Sequence, residues 1–202
     1  ALRGVATGLS PRTGNRAVCY CDDCQAYAHF LGRTDVLDAH GGTDIFQITP
    51  SQVRITDGAD RLRCMRLSEN GLMRWYAGCC DTPLGNTLAS ARVPFVGVVH
   101  AVMDHAGDGR SRDEVLGRPR GYIYGRFAVG GLPRHAHPTA PIGMILRALG
   151  TLVSAAVRGK HRPSPFFDGS SGKPVTTPRV LSADERESLR QRVRTHAGSA
   201  SG

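Results

Sequence analysis

Apolar positions fall first into short alternating or β-branched runs and later into helical spacing. Between Asp44 and Ala77 the runs are Ile45-Phe46-Gln47-Ile48, Gln52-Val53-Arg54-Ile55, Leu62 to Leu67 and Leu72 to Tyr76. Pro50, Asp57-Gly58 and Glu69-Asn70-Gly71 separate them as turn formers, so this segment reads as an antiparallel meander. Further strand-like runs stand at Val93 to Val102 and Gly121 to Val129, parted by a Gly- and Asp-rich loop from Asp104 to Arg120.

Helical spacing appears in three places. Gln25 to Leu31 carries helix formers, with Tyr27 and Leu31 on one face, until Gly32 stops it. Ile142, Ile145, Leu146, Leu149, Leu152 and Val153 predict an amphipathic helix from Pro141 to Arg158. A last helix should start at Ser182, whose hydroxyl can cap the turn carrying Asp184 and Glu185, with Leu189 and Val193 as its apolar contacts. Gly198 to Gly202 is expected to be disordered. The pattern predicts a mainly β domain over residues 1–132, followed by a helical extension with a flexible tail over 133–202.

The 202 residues suffice for one domain with a real core. Lys and Arg exceed Asp and Glu to give a formal charge of +9, but the Arg residues are scattered without one basic run. Nucleic acid is therefore not the expected partner. The most apolar stretch, Pro141 to Val157, is short and holds Arg147, so no membrane segment is expected. The chain begins Ala1-Leu2-Arg3-Gly4 with no initiator Met, and it reads as a fragment.

Six cysteines add the chemistry. Cys19, Cys21 and Cys24 crowd into six positions, and no signal segment precedes them, so a reducing, cytoplasmic setting and metal binding are expected rather than disulfides. In Cys-x-Cys-x-x-Cys the first pair can clasp an ion from a tight turn. The third thiolate returns to the same ion as the chain enters a helix. Zinc is the expected metal; three ligands leave a fourth position open, as in catalytic sites, while a fourth protein ligand would make a closed structural clip. No βαβ pattern surrounds Cys21-Asp22-Asp23-Cys24 to favour thioredoxin-like chemistry.

Cys79 and Cys80 end a strand-like run; either can complete the first site or belong to a second one. Cys64 reads as a packed thiol. Asp22 and Asp23 suit either acceptors behind the ligands or a favourable helix start. His29 reads as a partly buried neutral histidine, and His135 with His137 as a chelating pair or a plain Pro-flanked loop.

Three segments stand out together: Cys19-Tyr20-Cys21-Asp22-Asp23-Cys24 before a small helix, Phe46-x-Ile48-x-Pro50, and Trp75-Tyr76-Ala77-Gly78-Cys79-Cys80-Asp81-Thr82-Pro83-Leu84. In these the chain resembles the glutathione-dependent formaldehyde-activating enzymes, which share an Mss-four-like fold of coiled β-sheets with zinc sites. The similarity covers roughly residues 1–100. It implies that Cys19, Cys21 and Cys24 hold a catalytic zinc. It also implies a carbon-sulfur lyase acting on the adduct of glutathione, or a similar small thiol, with formaldehyde or a related aldehyde. Arg33, Arg74 and Arg126 are then candidates for the glutathione carboxylates, with nothing to choose among them.

The family carries an earlier Cys-x-Cys-Gly that pairs with a later Cys-x-x-Cys around a structural zinc. Here the earlier pair is expected just before Ala1, and Ala77 stands at the first position of the later one. Cys79 therefore substitutes beside Cys80, or the second site is lost. The alternative function is a noncatalytic zinc module docking a protein or nucleic acid through its basic surface.

Overall fold

The structure is a computed structural model and describes residues 1–104 and 109–199. Strands β1 (Arg3–Ala6), β2 (Asn15–Cys19), β3 (Thr43–Ile48), β4 (Val53–Asp57), β5 (Leu62–Arg66), β6 (Met73–Ala77), β7 (Thr82–Thr87), β8 (Val96–Val99), β9 (Tyr122–Ile123) and β10 (Arg179–Val180) carry the architecture. The helices are α1 (Asp22–Phe30), α2 (Arg112–Leu116), α3 (Ile142–Val157) and α4 (Ala183–Ser199).

Eight strands form one mixed sheet in the order β10-β5-β6-β7-β8-β3-β2-β9, and β1 pairs with β4 in a separate two-stranded ribbon. The chain is thus mainly β with helices concentrated toward its C-terminus. The meander expected from Asp44 to Ala77 is only half correct. Strands β5 to β8 run as consecutive antiparallel neighbours, but β3 lies between β2 and β8, and β4 leaves to pair with β1. Local alternation cannot distinguish a hairpin partner from a distant one, because both bury alternate side chains. The Asp57-Gly58 turn does form, with Gly58 at φ 68, where a side chain would be strained.

Alternation in β5 and β6 sorts the two faces of the sheet. Leu62, Cys64, Met73 and Trp75 enter a core with Phe46, Ile48, Val96, Phe166 and Phe167. The Trp75 ring lies 5.0 Å from that of Phe166 and donates its indole N–H to Thr87 Oγ1 at 2.9 Å. Gly14 closes over this core, since a Cβ there would stand 1.9 Å from the Phe46 ring. Met65 and Tyr76 face the other way, toward Ala26, Tyr27 and Leu31 around α1, with Leu181 just before α4 and Leu189 within it.

Residues after 132 are woven into this body rather than appended to it. Phe166 and Phe167 fill the first core, β10 pairs parallel with β5, and α4 packs on α1. The cap expected at Ser182 forms with Glu185, which bonds back to the Ser182 N–H while its own N–H meets the Ser182 hydroxyl. Gly198 and Ser199 belong to α4, and the rest of the expected tail, 200–202, lies outside the described residues. Within the expected 104–120 loop, Arg112–Leu116 is helical, because Ser111 and Glu114 close a capping box; residues 105–108 lie outside the described residues. The 121–129 run yields only the short β9, after which Tyr124 turns the chain at φ 58. Among the described residues no helix is long and apolar enough to cross a membrane.

Candidate metal centre

Strand β2 delivers Cys19 as its last residue, held between Thr43 of β3 and Ile123 of β9. Tyr20 follows, fully buried, its N–H bonded to Ile123 O and its hydroxyl to Asp38. Cys21 is extended (φ -60, ψ 145) and caps α1; Cys24 then lies in the first turn, its N–H bonded to Cys21 O. The strand end, the cap and the first helical turn thereby converge. The Sγ atoms of Cys19, Cys21 and Cys24 all lie within 4.8 Å of one another, with Cys21 the most accessible.

Among the described residues no further His, Cys, Asp or Glu joins this group of ligand atoms. A tetrahedral ion with thiolate bonds of about 2.3 Å needs sulfurs about 3.8 Å apart, a spacing that three thiols within 4.8 Å of one another can reach. The donor set therefore fits a thiophilic ion such as zinc.

Arg74 backs the cluster. Alternation in β6 points it away from Trp75 and toward α1, where it is only 1% exposed. Its guanidinium bonds Asn86 Oδ1 at 3.2 Å, lies 5.3 Å from the Tyr27 ring centre and stands 3.6 Å from Asp23. Cys24 is hydrogen-bonded to it, and the charges of Cys24, Cys21 and Asp23 hold the buried guanidinium protonated against desolvation.

With no metal bound, negative charge collects on Cys24. Hydrogen bonds from Cys19 and Cys21, then Arg74, hold its thiol far below the ordinary value despite burial. Cys19 is pushed up by its hydrogen bonds to Cys21 and Cys24 and by burial. The bond from Cys19 favours the Cys21 thiolate, but its own bond to Cys24 and burial outweigh this and raise it. Burial raises Asp23 more than Arg74 lowers it.

The other candidates lie apart. Cys79 and Cys80 are exposed beyond β6 and do not join the cluster; their sulfurs sit 3.7 Å from each other. Cys80 Sγ lies 3.1 Å from Thr82 Oγ1, which also accepts from Arg33, itself paired with Asp35. The Thr82 bond, then those from Cys79 and the charge of Arg33, lower the Cys80 thiol. Cys64 is packed in the core, where burial pushes its thiol up to about 12. Iodoacetamide should accordingly label Cys80 first and leave Cys64 unmodified in the folded chain; Thr82→Val should slow the Cys80 reaction severalfold, read by peptide mass spectrometry.

His135 contacts the Tyr20 hydroxyl at 3.4 Å and packs edge-on against Tyr122, while His137 holds backbone bonds to Tyr122 and Gly125. Neither histidine, nor His29, supplies an atom to the cysteine cluster. Arg126 lies over the Phe127 ring.

An open cleft of about 550 Å³ borders the first turn of α1, lined by Asp22, Gln25 and Phe127 on one side and by Glu187, Arg190 and Arg194 of α4 on the other. Gln25 fixes that wall by donating to Tyr20 O and Phe127 O. The sequence reading named Arg74 only as one of three candidates for a substrate carboxylate, not as the buried partner of Cys24, and did not select Arg190 or Arg194. A signal for Arg74 existed, since it stands in a strand whose neighbours on both sides are large and apolar.

Residues 6–178 match a family of unknown function, DUF6151. The chain belongs to the DUF6151 family. No curated protein matches it. Both the cysteine cluster and Arg74 of this DUF6151 chain fall within the matched span, whereas all of α4 lies beyond it.

Proposed function

We propose that this DUF6151 protein holds one zinc ion on Cys19, Cys21 and Cys24 and makes or breaks the carbon-sulfur bond between a small thiol and formaldehyde or a related aldehyde. The observation that carries this reading is a cluster of three thiols, with no fourth protein ligand among the described residues, beside a cleft bearing two arginines. The resemblance to the glutathione-dependent formaldehyde-activating enzymes, with their Mss-four-like coiled sheets, supports it. That no fourth ligand stands among the described residues also favours it over a closed, noncatalytic zinc module.

Zinc bound there would supply Lewis acidity and favour the thiolate form of a substrate thiol. Arg74 offsets the negative charge of the cysteinates from the side away from solvent. Arg190 and Arg194 are placed to receive carboxylates of a thiol such as glutathione, with Glu187 holding them in position through ion pairs of 3.5 and 2.8 Å. Asp22, which lines the same cleft, can take the thiol proton. In the forward direction sulfur bonds to the aldehyde carbon, the carbonyl π bond breaks, and the proton ends on oxygen as the hydroxymethyl thioether.

The test is magnetisation exchange between free and glutathione-bound formaldehyde, followed by NMR at neutral pH with the zinc-loaded chain. An exchange rate raised tenfold or more, and lost in Arg190→Ala/Arg194→Ala with zinc retained, is the expected result. Exchange no faster than in buffer would overturn the activity.

A further inference from the structure

Helix α3 forms where its spacing predicts, yet its apolar stripe faces outward. Met144 packs over Gly121 and Arg147 bonds Asn15 Oδ1 at 3.1 Å, which seats the helix at the β2–β9 end of the sheet. Ala155 is its one buried residue. Ile142, Ile145, Leu146, Leu149, Val153 and Val157 all stand exposed, Ile142 by 71% and Val157 by 84%. At 100° per residue they fall on one side, opposite Met144, Thr151 and Ala155, with no charge among them. Six large side chains on about 24 Å of helix make a contiguous apolar surface of a kind soluble monomers rarely leave bare.

What surrounds the stripe indicates its occupant. From Val115 to Phe167 there is no Asp or Glu, while Arg118, Arg120, Arg126, Arg134, Arg147, Arg158, Lys160 and Arg162 give eight cations. Arg158 caps the helix and is exposed, as are Lys160 and Arg162 just beyond it. A second copy docked through this stripe would set cationic surroundings against cationic surroundings, with no acid in the segment to pair them. A surface of anionic phospholipid offers acyl chains to the stripe and phosphates to its flanks. The helix is too short to span a bilayer but suits one lying in its plane.

We infer that α3 docks this protein on anionic phospholipid membranes as an in-plane interfacial helix, with Arg158, Lys160 and Arg162 meeting the headgroups. This goes against the expectation from sequence that no membrane is involved. It stands apart from the thiol site, whose residues it does not use.

The test is sedimentation of the full chain with vesicles of phosphatidylcholine alone or of phosphatidylcholine and phosphatidylglycerol in equal parts. Binding to the anionic vesicles at least tenfold tighter than to the neutral ones is expected, weakening as salt rises. Leu146→Glu/Leu149→Glu/Val153→Glu should abolish it, and Arg158→Ser/Lys160→Ser/Arg162→Ser should reduce it tenfold or more, because each cation near such a surface is attracted by its phosphates. Because these side chains are exposed, both variants should keep the wild-type circular dichroism and melting temperature. A Leu149→Trp reporter should shift its emission to the blue on the anionic vesicles. Failure to sediment with either vesicle overturns the proposal. So does a stable dimer in sedimentation velocity that the triple glutamate variant converts to monomer.

Discussion

Replacing Cys24 with serine is expected to strip the chain of metal, leaving less than a tenth of an equivalent after dialysis. A structural zinc held by four thiolate or imidazole ligands is worth about 10–16 kcal/mol at neutral pH, or roughly 3–4 kcal/mol per ligand. Losing one protein ligand of three should therefore weaken binding by about two to three orders of magnitude. Serine keeps the shape but does not ionise, and it removes the one sulfur that Arg74 directly supports. Elemental analysis after dialysis reads the result, with Cys79→Ser and Cys80→Ser as comparisons that should retain a full equivalent. Retention by Cys24→Ser, or loss in either comparison, would move the site to other thiols.

The pH dependence has a definite sign. Cys24 is already ionised without metal, while Cys19 and Cys21 are held protonated, so metal must displace about two protons. Affinity should rise by about two log units per pH unit below the thiol range.

The centre and the fold were legible in the sequence to different degrees, for physical reasons. Cys19, Cys21 and Cys24 lie within six residues, so chain connectivity alone keeps them together, and the entry of Cys24 into a helix was expected, whereas the strand that ends at Cys19 was not. Arg74 is far from them in sequence and reaches Cys24 only because β6 lies beneath α1, a placement no local pattern encodes. Strands β5 and β6 followed from alternation and turn residues, and β8 lies inside the expected Val93 to Val102 run, but β7, with Pro83, Gly85 and Asn86 in its sequence, carries no such pattern and was not expected. The insertion of β3 between β2 and β8 did not follow either, because register with distant strands is decided by the whole core. Phe166 and Phe167 sat in a Pro-, Gly- and Ser-rich segment that reads as loop, yet they pack on Trp75. In α3 periodicity identified the helix but not which way its stripe would face, since spacing carries no information about what lies opposite.

Asp44→Asn should destabilise the folded chain by about 3 kcal/mol at neutral pH, near the lower end for breaking a buried pair by removing one partner. For a chain of this size that is a fall of about 6–12 °C in Tm. Asp44, on β3, accepts from Arg16 of β2 at 2.8 Å and meets Nε2 of His100 just after β8, so one carboxylate joins three neighbouring strands. Arg16 also pairs with Asp113 of α2, but that carboxylate is 56% exposed and cannot replace a buried counter-charge. Asparagine preserves volume and an acceptor, so the loss isolates charge from packing.

Acid provides the check. Burial raises the Asp44 carboxyl, but hydrogen bonds from His100 and Arg16 outweigh it and set the folded value below the ordinary one. The stabilisation is therefore complete above the unfolded value, near pH 4, and fades as pH falls through the folded value. The stability gap between wild type and Asp44→Asn should be widest at neutral pH and shrink below about pH 4. Urea titrations across that range measure it, and a gap that stays constant would assign the effect to packing instead. Arg16→Met/Asp44→Asn should then cost less than the sum of the single changes, because removing both charges leaves neither buried alone.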